Sequence, residues 1–427
     1  MNVKGTRDFM PEEMILRQQV LDKIKSVFEI FGFQPLETPA LETWEVLAKK
    51  GAGGEDILGE TYNFKDKGDR RIGLRYDLTV PLSRVIASNP NLNLPFKRYQ
   101  IQNVWRYGDI AKDRLREFLQ ADIDIVGSDS MLADAEIIAC AITTLNKLGF
   151  KEFKVRLNNR KILTSKVKQE KIPEKEYLAT FRVIDKKDKI GEEGVKKELS
   201  TIISQQATAT ILEFIRDKGD SALEELGKQL EDKEGVEELK QIISYLKQMN
   251  LNSKIEFDPS LARGLDYYTG PIFEIVAEEG IGSIAGGGRY DKMIGVLSGK
   301  DIPATGISLG IERVIEVVKE KKMIETKKSK VKVFVIAVND NVRDKVLKIV
   351  QALRNKSIPA DYDLKLRSLS KQLNYANLME IPNVIIVGEK ELKEKSVKLR
   401  KMDTGKEVLV KLDDLVTLLS TEIYKNA

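Results

Sequence analysis

The 427-residue sequence predicts an α+β protein: a large antiparallel sheet with helices, interrupted by a helical insertion and followed by a separate α/β domain. Two observations support this prediction. Strand-like runs and turns follow one another over the first 150 residues without a regular βαβ alternation. A highly charged helical stretch then separates them from a second group of strand-like runs. The composition, with 42% hydrophobic and 32% charged residues, is typical of a charge-rich globular protein.

The first part of the chain supplies most of the predicted sheet. Apolar side chains at helical spacing predict a helix over residues 10–31, with Pro11 in its first turn. The extended stretch FQPLETPALE follows, and then the strand-like runs TYNFKD, RRIGLRYD and FKRYQIQNVWRYG. A loop rich in Arg and Lys (110–116) leads to the strand EFLQADIDIVG and to an amphipathic helix over about 130–148.

The rest of the chain divides into three predicted segments. Runs such as DKKDKIGEEGVKKE indicate charged helices, and strand chemistry returns at about residue 255. The basic run KEKKMIETKKSK is typical of a linker, and VKVFVIAV, NVIIVG and SVKLRK after it indicate a compact α/β domain. The predicted domains are one sheet domain in two parts (1–150 and 253–325), a helical insertion (151–252) and the α/β domain (326–427).

The residue counts exclude several kinds of chemistry. Histidine is absent and Cys140 is the only cysteine, so Ser-His-Asp or Cys-His catalysis, intramolecular disulfides and Cys- or His-ligated zinc are impossible. No apolar run reaches the roughly 20 residues of a membrane helix, and no secretory signal pattern opens the sequence. We therefore expect a cytoplasmic protein that does not cross a membrane.

The formal net charge of +5 lies entirely in the segment from Val331 onward, because residues 1–330 are balanced. A basic bias confined to one domain is compatible with binding a polyanion. An ordinary lysine-rich surface explains the same charge equally well.

A first segment with unusual chemistry is VWRYGDIAKDRLREFLQADIDIVG. Arg106 ends a strand, and the loop that follows carries Arg114. The period of two in the returning strand places Gln120, Asp122 and Asp124 on one sheet face. A cationic loop beside a polar face suits a triphosphate and a small polar ligand, whereas an exposed hairpin with solvated charges explains the segment alone.

Two further segments add arginine, tyrosine and glycine. ARGLDYYTG brings Arg263, Asp266, Tyr267 and Tyr268 to one turn, and these residues make either a polar aromatic pocket or a surface ion pair beside a core tyrosine. AGGGRYD permits close approach of the backbone to a ligand, and ATGISLGIERV places Arg313 early in a helix. Glycine runs are also common in ordinary turns.

Together these segments resemble the histidyl-tRNA synthetases, a family of class II aminoacyl-tRNA synthetases, along nearly the whole chain. KGTRDFMP is similar to the family's opening, FQPLETPALE to its dimer-forming first motif, VWRYGDIAKDRLREF to the second motif and GISLGIERV to the third. RGLDYYTG resembles a signature peculiar to the histidine enzymes. SKQLNYANLMEIPNVIIVGEKEL is similar to the C-terminal anticodon-binding domain that the histidine, threonine, proline and glycine enzymes share.

The resemblance implies activation of L-histidine by ATP to histidyl-adenylate, followed by transfer to the 3′ end of tRNA(His). It also implies a homodimer that uses ATP with Mg²⁺, without a prosthetic group and without zinc. The attacking carboxylate is already ionised at neutral pH, so the reaction requires positive charge rather than a general base.

The resemblance also assigns roles to individual residues. The catalytic set is Arg106, Arg263 and Arg313, and these three with Arg114 form the ATP-binding set. The histidine-binding set is Asp77, Leu78, Thr79, Gln120, Asp124, Tyr267, Tyr268 and Gly287. Within these sets, Arg106 and Arg263 hold the α-phosphate, Asp77 and Thr79 the α-amino group, and Asp124 and Tyr268 the two ring nitrogens. The glycine run 286–288 and Arg289 are expected at the floor of the pocket.

One position departs from the family pattern. The family usually has an acidic residue two places after the arginine that corresponds to Arg106, and here Gly108 stands there, followed by Asp109. Either Asp109 replaces the missing group or the contact is absent.

The alternative functions are a non-catalytic paralogue, such as a regulatory subunit of histidine biosynthesis, and an RNA-binding module. The three catalytic-set arginines and the complete terminal domain favour the enzyme.

Overall fold

A computed structural model describes residues 1–49, 55–110, 115–263, 267–277, 282–365 and 367–425. The chain forms two compact units. The first consists of Met1–Asp8 and Val20–Ile324, and the second of Phe9–Gln19 and Glu325–Ala427. Within the described ranges, none of the helices is both long enough and apolar enough to cross a membrane.

The strands are, in chain order, β1 (Gln34–Pro35), β2 (Leu41–Thr43), β3 (Asn63–Lys65), β4 (Arg71–Leu74), β5 (Phe96–Trp105), β6 (Glu117–Val126), β7 (Phe153–Asn159), β8 (Ile255–Phe257), β9 (Pro271–Ala277), β10 (Ser283–Arg289), β11 (Ala304–Gly310), β12 (Val333–Ala337), β13 (Ala360–Tyr362), β14 (Asn383–Val387), β15 (Ser396–Lys401) and β16 (Glu407–Lys411).

The α-helices are, in chain order, α1 (Pro11–Ile30), α2 (Trp44–Leu47), α3 (Glu55–Glu60), α4 (Thr79–Ser88), α5 (Met131–Leu148), α6 (Arg160–Gln169), α7 (Tyr177–Asp185), α8 (Lys187–Leu199), α9 (Gln205–Phe214), α10 (Asp220–Gln229), α11 (Glu234–Gln248), α12 (Met293–Ser298), α13 (Ile311–Glu320), α14 (Arg343–Asn355), α15 (Leu369–Leu378), α16 (Glu389–Lys393) and α17 (Leu412–Lys425).

The first unit contains an eight-stranded sheet in the spatial order β1-β5-β6-β11-β10-β9-β7-β8. Its central pairs are antiparallel, and only the outer pairs β1–β5 and β7–β8 are parallel. A small antiparallel sheet, β2-β4-β3, belongs to the same unit. The prediction of an α+β fold with an antiparallel-rich sheet, helices and a C-terminal α/β domain is confirmed.

Helix α5 packs against β6 and β11. The Ser130 hydroxyl caps its first turn by accepting the N–H of Leu132 at 3.2 Å, and Gly149 ends it in the left-handed conformation with φ of 101°. The sequence predicts an amphipathic helix here, but α5 is buried along most of its surface, including Asp134. Because the helix covers β6 and β11 on this side of the sheet, a ligand site over these two strands lies on the other side.

The helical insertion comprises α6 to α11. It begins at Arg160 rather than at residue 151, because FKVRLNN forms β7 and pairs with β8 and β9 in the main sheet. Helix α11 packs against both α5 and α6. This packing joins the insertion to the same unit as the sheet.

The second unit has a five-stranded sheet in the order β13-β12-β14-β15-β16, with its first three strands parallel and the last two antiparallel. Val333 and Val335 of β12 belong to one apolar cluster, whereas Phe334 and Ile336 belong to another. Since alternate residues point to opposite faces, both faces of this sheet are covered by apolar side chains.

Candidate active site

A cavity of about 470 Å³ opens on the side of β6, β10 and β11 that carries the polar residues. It brings together most of the side chains that the sequence selects. The predicted site residues that line it are Asp77, Thr79, Arg106, Gln120, Asp124, Arg263, Tyr267, Tyr268, Gly287 and Arg313. Of the remaining two, Leu78 lies outside this lining and Arg114 lies outside the described residues.

The register of the strands explains why polar groups gather here. Asp124 of β6 pairs with Arg98 of β5 on one side and with Gly306 of β11 on the other. Two residues along, Asp122 pairs with Gln100 and with Ser308 in the same way. Polar residues of neighbouring strands therefore lie side by side on this face. Beside Asp124, the glycine on β11 leaves space for a ligand.

Asp124 is held by two buried neighbours. Arg98 is fully buried, and its Nη2 lies 2.7 Å from Asp124 Oδ2. The Tyr290 hydroxyl donates a hydrogen bond to Asp124 Oδ1. Burial raises the pKa of Asp124, and the charge of Arg98 acts in the opposite direction. The carboxylate is thus fixed in orientation, as a specific acceptor for a ligand N–H must be.

Asp122 is the second buried carboxyl group of the cavity. Its Oδ1 has no hydrogen-bond partner among the described residues. Burial raises the pKa of Asp122 to about 7; the charge of Arg98 acts against this shift, and that of Asp124 adds to it. Near neutral pH this group can therefore either accept or donate a hydrogen bond to a ligand.

Asp77 and Thr79 lie where α4 begins. Asp77 Oδ1 accepts the backbone N–H groups of Thr79 at 3.1 Å and Val80 at 3.0 Å, which orients the carboxyl group at the cavity. Leu78 between them is fully buried, and its carbonyl oxygen accepts a hydrogen bond from Arg98 Nη2 at 3.1 Å. Leu78 therefore supports the site through its backbone, while its side chain belongs to the core.

Arg106 follows the last residue of β5. Its Nε donates to the carbonyl oxygen of Tyr76 at 3.2 Å. The guanidinium lies 4.2 Å from the centre of the Tyr76 ring and 5.1 Å from that of Phe118. Contact with these two rings and the Tyr76 carbonyl oxygen restrains the guanidinium, which suits it to phosphate binding.

Arg313 lies in the first turn of α13, and its Nη1 donates to the carbonyl oxygen of Ser283 at 2.7 Å. Gly108 and Asp109, the two residues of the departure from the family pattern, also line the cavity.

Arg263 is the third arginine of the cavity. Its Nη1 lies 3.0 Å from Glu274 Oε1, and its backbone N–H donates to Asp185 Oδ1 at 2.8 Å. Its φ of 55° lies in the left-handed region, which is uncommon for a side chain of this size. Asp266, its predicted alternative partner, lies outside the described residues. The ion-pair partner seen in the structure is Glu274.

Two glycines allow the backbone to approach these charged groups. A Cβ atom on Gly306 would lie 2.0 Å from Asp124 Oδ1, and one on Gly286 would lie 2.3 Å from Arg263 Nη2. Both distances are far below van der Waals contact, so neither position accepts a side chain without moving a site residue.

Arg289 does not line the cavity, contrary to the expectation from the sequence. Its guanidinium bonds to the buried Asp134 of α5 and, at 3.3 Å, to Asp291. Period two explains this position: Cβ atoms added to Gly286 and Gly288 would meet Arg263 and Tyr268 of the cavity, so the side chain of Arg289 points to the opposite side of the sheet, where α5 lies.

Other site residues were not selected from the sequence. Arg98 and Gln100 follow the same period of two in FKRYQIQ, so a signal for them exists. Lys189 lines the cavity from α8, and no local pattern indicates it. No cluster of three or more Asp, Glu or Cys suited to a metal occurs in the part of the chain that the structure describes.

The fold and the cavity together define a class of protein. Three arginines suited to phosphate binding share one cleft with buried carboxyl groups and two tyrosines whose ring centres lie 4.7 Å apart. Such a site suits an enzyme that brings a nucleotide together with a small polar substrate.

The comparisons with known proteins identify the family. Residues 5–314 match the family model of histidyl-tRNA synthetase, and residues 332–422 match that of the anticodon binding domain. The chain is 39% identical to histidine–tRNA ligase 1 of Bacillus cereus over 423 residues, which cover 97% of this chain and 96% of the relative. It is 41% identical to histidine–tRNA ligase of Korarchaeum cryptofilum over 425 residues, with 97% of each chain covered.

A solved structure extends this similarity to the fold. The crystal structure of histidyl-tRNA synthetase from Nostoc sp. PCC 7120 superimposes with a TM-score of 0.86 at 31% identity and covers 100% of this chain and 99% of that one. This chain therefore belongs to the histidyl-tRNA synthetase family, as its motifs predict.

Proposed function

We propose that this chain is a class II histidine–tRNA ligase, which joins L-histidine to ATP and transfers the histidyl group to the 3′ end of tRNA(His). The observation that carries the proposal is the cavity over the main sheet, where the fixed Asp124 carboxylate lies together with three arginines. Full-length relatives named histidine–tRNA ligases support the same activity.

The arginines promote the first chemical step. The histidine carboxylate attacks the α-phosphorus of ATP, the new bond forms the mixed anhydride, and pyrophosphate leaves with the electron pair of the broken P–O bond. Both reactants are anionic, so Arg106 and Arg263 lower the barrier by binding the α-phosphate. Arg313 holds ATP at its other end, with Arg114 as a further ligand. ATP enters as its magnesium complex, because pyrophosphate carries high negative charge.

The floor and wall of the cavity select the amino acid. Asp124 accepts the N–H of one imidazole nitrogen, and Tyr268 binds the other. Asp77 and Thr79 hold the α-amino group, and the remaining histidine ligands are Gln120, Tyr267 and the backbone of Gly287. A site that pairs both ring nitrogens rejects side chains that lack them much more strongly than an apolar pocket does.

Three further properties accompany this function. The second unit binds tRNA, consistent with its match to the anticodon binding domain and with the net positive charge from Val331 onward. The segment FQPLETPALE forms the interface of a homodimer. The enzyme works in the cytoplasm and uses no zinc, for which the sequence holds no histidine and a single cysteine.

The test of the catalytic function is exchange of labelled pyrophosphate into ATP in the presence of each standard amino acid in turn. We expect exchange with histidine only, followed by charging of tRNA(His) when tRNA is added. No exchange with any amino acid would favour the non-catalytic paralogue, and tRNA binding without exchange would favour the RNA-binding module.

The homodimer has its own test. Light scattering in dilute solution should give twice the 48.3 kDa of the chain. A stable, active monomer would contradict it.

A further inference from the structure

The helical insertion reaches the active site at one corner, where α7 ends and α8 begins. Asp185, the last residue of α7, accepts the backbone N–H of Arg263 through Oδ1 at 2.8 Å. Arg263 adopts a φ of 55°, and for a residue with a Cβ atom this conformation costs free energy unless its surroundings hold it. The Asp185 hydrogen bond is the contact that holds this backbone N–H.

The guanidinium of Arg263 is connected to the same corner by a second route. Its Nη1 lies 3.0 Å from Glu274 Oε1, and the other oxygen of Glu274 lies 3.1 Å from Arg156 Nη1. The same Arg156 nitrogen lies 2.6 Å from Asp188 Oδ2 at the start of α8. Residues 185 and 188 of the insertion are therefore linked to both ends of Arg263.

We propose that Asp185 is a positioning residue for histidine activation: it holds the backbone of Arg263 in the conformation that directs the guanidinium into the cleft. The insertion thereby takes part in formation of the adenylate. This inference rests on the proposed role of Arg263 at the α-phosphate.

The position of Asp185 favours this role over a structural one. Its side chain is exposed, so its replacement leaves no cavity in a hydrophobic core. A carboxylate at the end of α7 can instead set the direction of a neighbouring catalytic side chain, and small errors in such a direction cost large factors in rate.

The test compares adenylate formation in single-turnover experiments with the full-length enzyme, at saturating ATP and histidine. Asp185→Ala should lower the rate about tenfold, with the melting temperature nearly unchanged and with KM for histidine, from pyrophosphate exchange at varied histidine concentration, changed less than about twofold. Asp185→Asn should recover most of the rate, because its amide oxygen can accept the same hydrogen bond. The control is Glu192→Ala, which removes another carboxylate of the insertion, one that pairs with the exposed Arg216 at 2.8 Å.

A double-mutant cycle separates positioning from general stability. In the Arg263→Ala background, Asp185→Ala should cause no further loss, because there is no guanidinium left to direct. An equal loss in both backgrounds would overturn the proposal, and so would a wild-type rate for Asp185→Ala. Should that variant fail to fold, Asp185→Glu takes its place, since it keeps the charge and moves the accepting oxygen by one methylene. We expect the same loss of rate, and a wild-type rate would again overturn the proposal.

The outcome also separates this inference from the proposed function. A wild-type enzyme that forms no histidyl-adenylate would refute the function itself. An active wild type with an equally active Asp185→Ala variant would refute only the positioning role.

Discussion

The two main sheets of this chain use the same alternation of side chains for different purposes. In the five-stranded sheet, Val335 and Ile336 are neighbours on opposite faces, and both are completely buried in apolar clusters. In strand β6 of the eight-stranded sheet, Ile123 is completely buried, whereas its neighbours Asp122 and Asp124 line the cleft. One sheet thus has two apolar faces, and the other has a mostly apolar face and a polar one.

The two sheets differ in what burial of their side chains does to the stability of the fold. Burial of an apolar side chain stabilises the fold, whereas burial of a carboxyl group costs free energy unless a partner compensates it. Arg98 forms an ion pair with Asp124, whereas Asp122 Oδ1 has no hydrogen-bond partner among the described residues. The polar sheet is therefore expected to respond to charge, ligands and pH, and the apolar sheet to respond to packing alone.

The largest expected effect concerns the charges of the polar sheet. Arg263→Ala should lower the rate of adenylate formation by at least about a hundredfold, because the proposed mechanism loses one contact to the transition-state charge. Arg263→Lys should recover only part of the rate, since a point charge does not reproduce the planar guanidinium. Pre-steady-state adenylate formation, with a melting curve, measures both.

A matched control for Arg263 lies in the other sheet. Arg400→Ala removes an arginine that pairs with the exposed Glu407 at 3.1 Å, and it should leave adenylate formation unchanged. If Arg263 serves only as the ion-pair partner of Glu274, its alanine variant should melt early and yet form adenylate at the normal rate.

The second effect concerns the space beside Asp124. Gly306→Ala places a Cβ atom where only 2.0 Å separates it from Asp124 Oδ1, so the carboxylate, the proposed acceptor of the imidazole N–H, must move. We expect KM for histidine to rise at least about tenfold, with less change for ATP. Gly59→Ala is the control, because among the described residues no atom beyond its chain neighbours and its own helix backbone lies within 4 Å of its added Cβ. Unchanged KM for histidine in Gly306→Ala would show that Asp124 does not set the affinity.

The third effect tests whether the apolar sheet serves stability alone. Ile336→Ala should lower the free energy of unfolding of the second unit by about 2–5 kcal/mol, because it leaves a cavity in a packed core. Calorimetry should show one transition at lower temperature. Between that transition and the next, histidine activation should persist while tRNA charging is lost. Simultaneous loss of both activities would show that the two units do not act separately.

The smallest effect is a pH dependence confined to the polar sheet. The pKa of Asp122 is raised to about 7 by burial, so the native state holds this proton more strongly than the unfolded state does. The stability that comes from the stronger binding of this proton in the native state is therefore lost as the pH rises from about 4 to about 7. Asp122→Asn carries no such proton. Its gain in melting temperature over the wild type should be larger at about pH 8 than at about pH 5. An equal gain at both pH values would contradict the raised pKa.

Local patterns in the sequence predict a good part of this arrangement. Period two places Gln120, Asp122 and Asp124 on one face, and the structure has them there. The same rule accounts for Arg98 and would have placed Arg289 opposite the cleft. Strand β7 is not predicted, because its charged and polar residues directly follow a charged turn and are assigned to the insertion. In the structure it pairs with β9.

Contacts between distant segments are a different matter. The hydrogen bond from Arg263 to Asp185 joins residues 78 positions apart, and it depends on how a loop meets the end of a helix. No periodicity or local motif in the sequence predicts such a contact. The insertion's place at the active site could therefore be found only from the folded chain.

The glycines of the cleft affect how the enzyme discriminates between ligands of different size. Gly286, Gly287 and Gly306 present main chain to the cavity, where other residues would present side chains. Side chains can change rotamer and so alter the size of a pocket, whereas a main chain that is held in a hydrogen-bonded sheet keeps its position. The depth of the pocket above these glycines is therefore fixed by the main chain of the sheet. The pocket's discrimination by size should for that reason stay the same across the temperatures at which the sheet is folded.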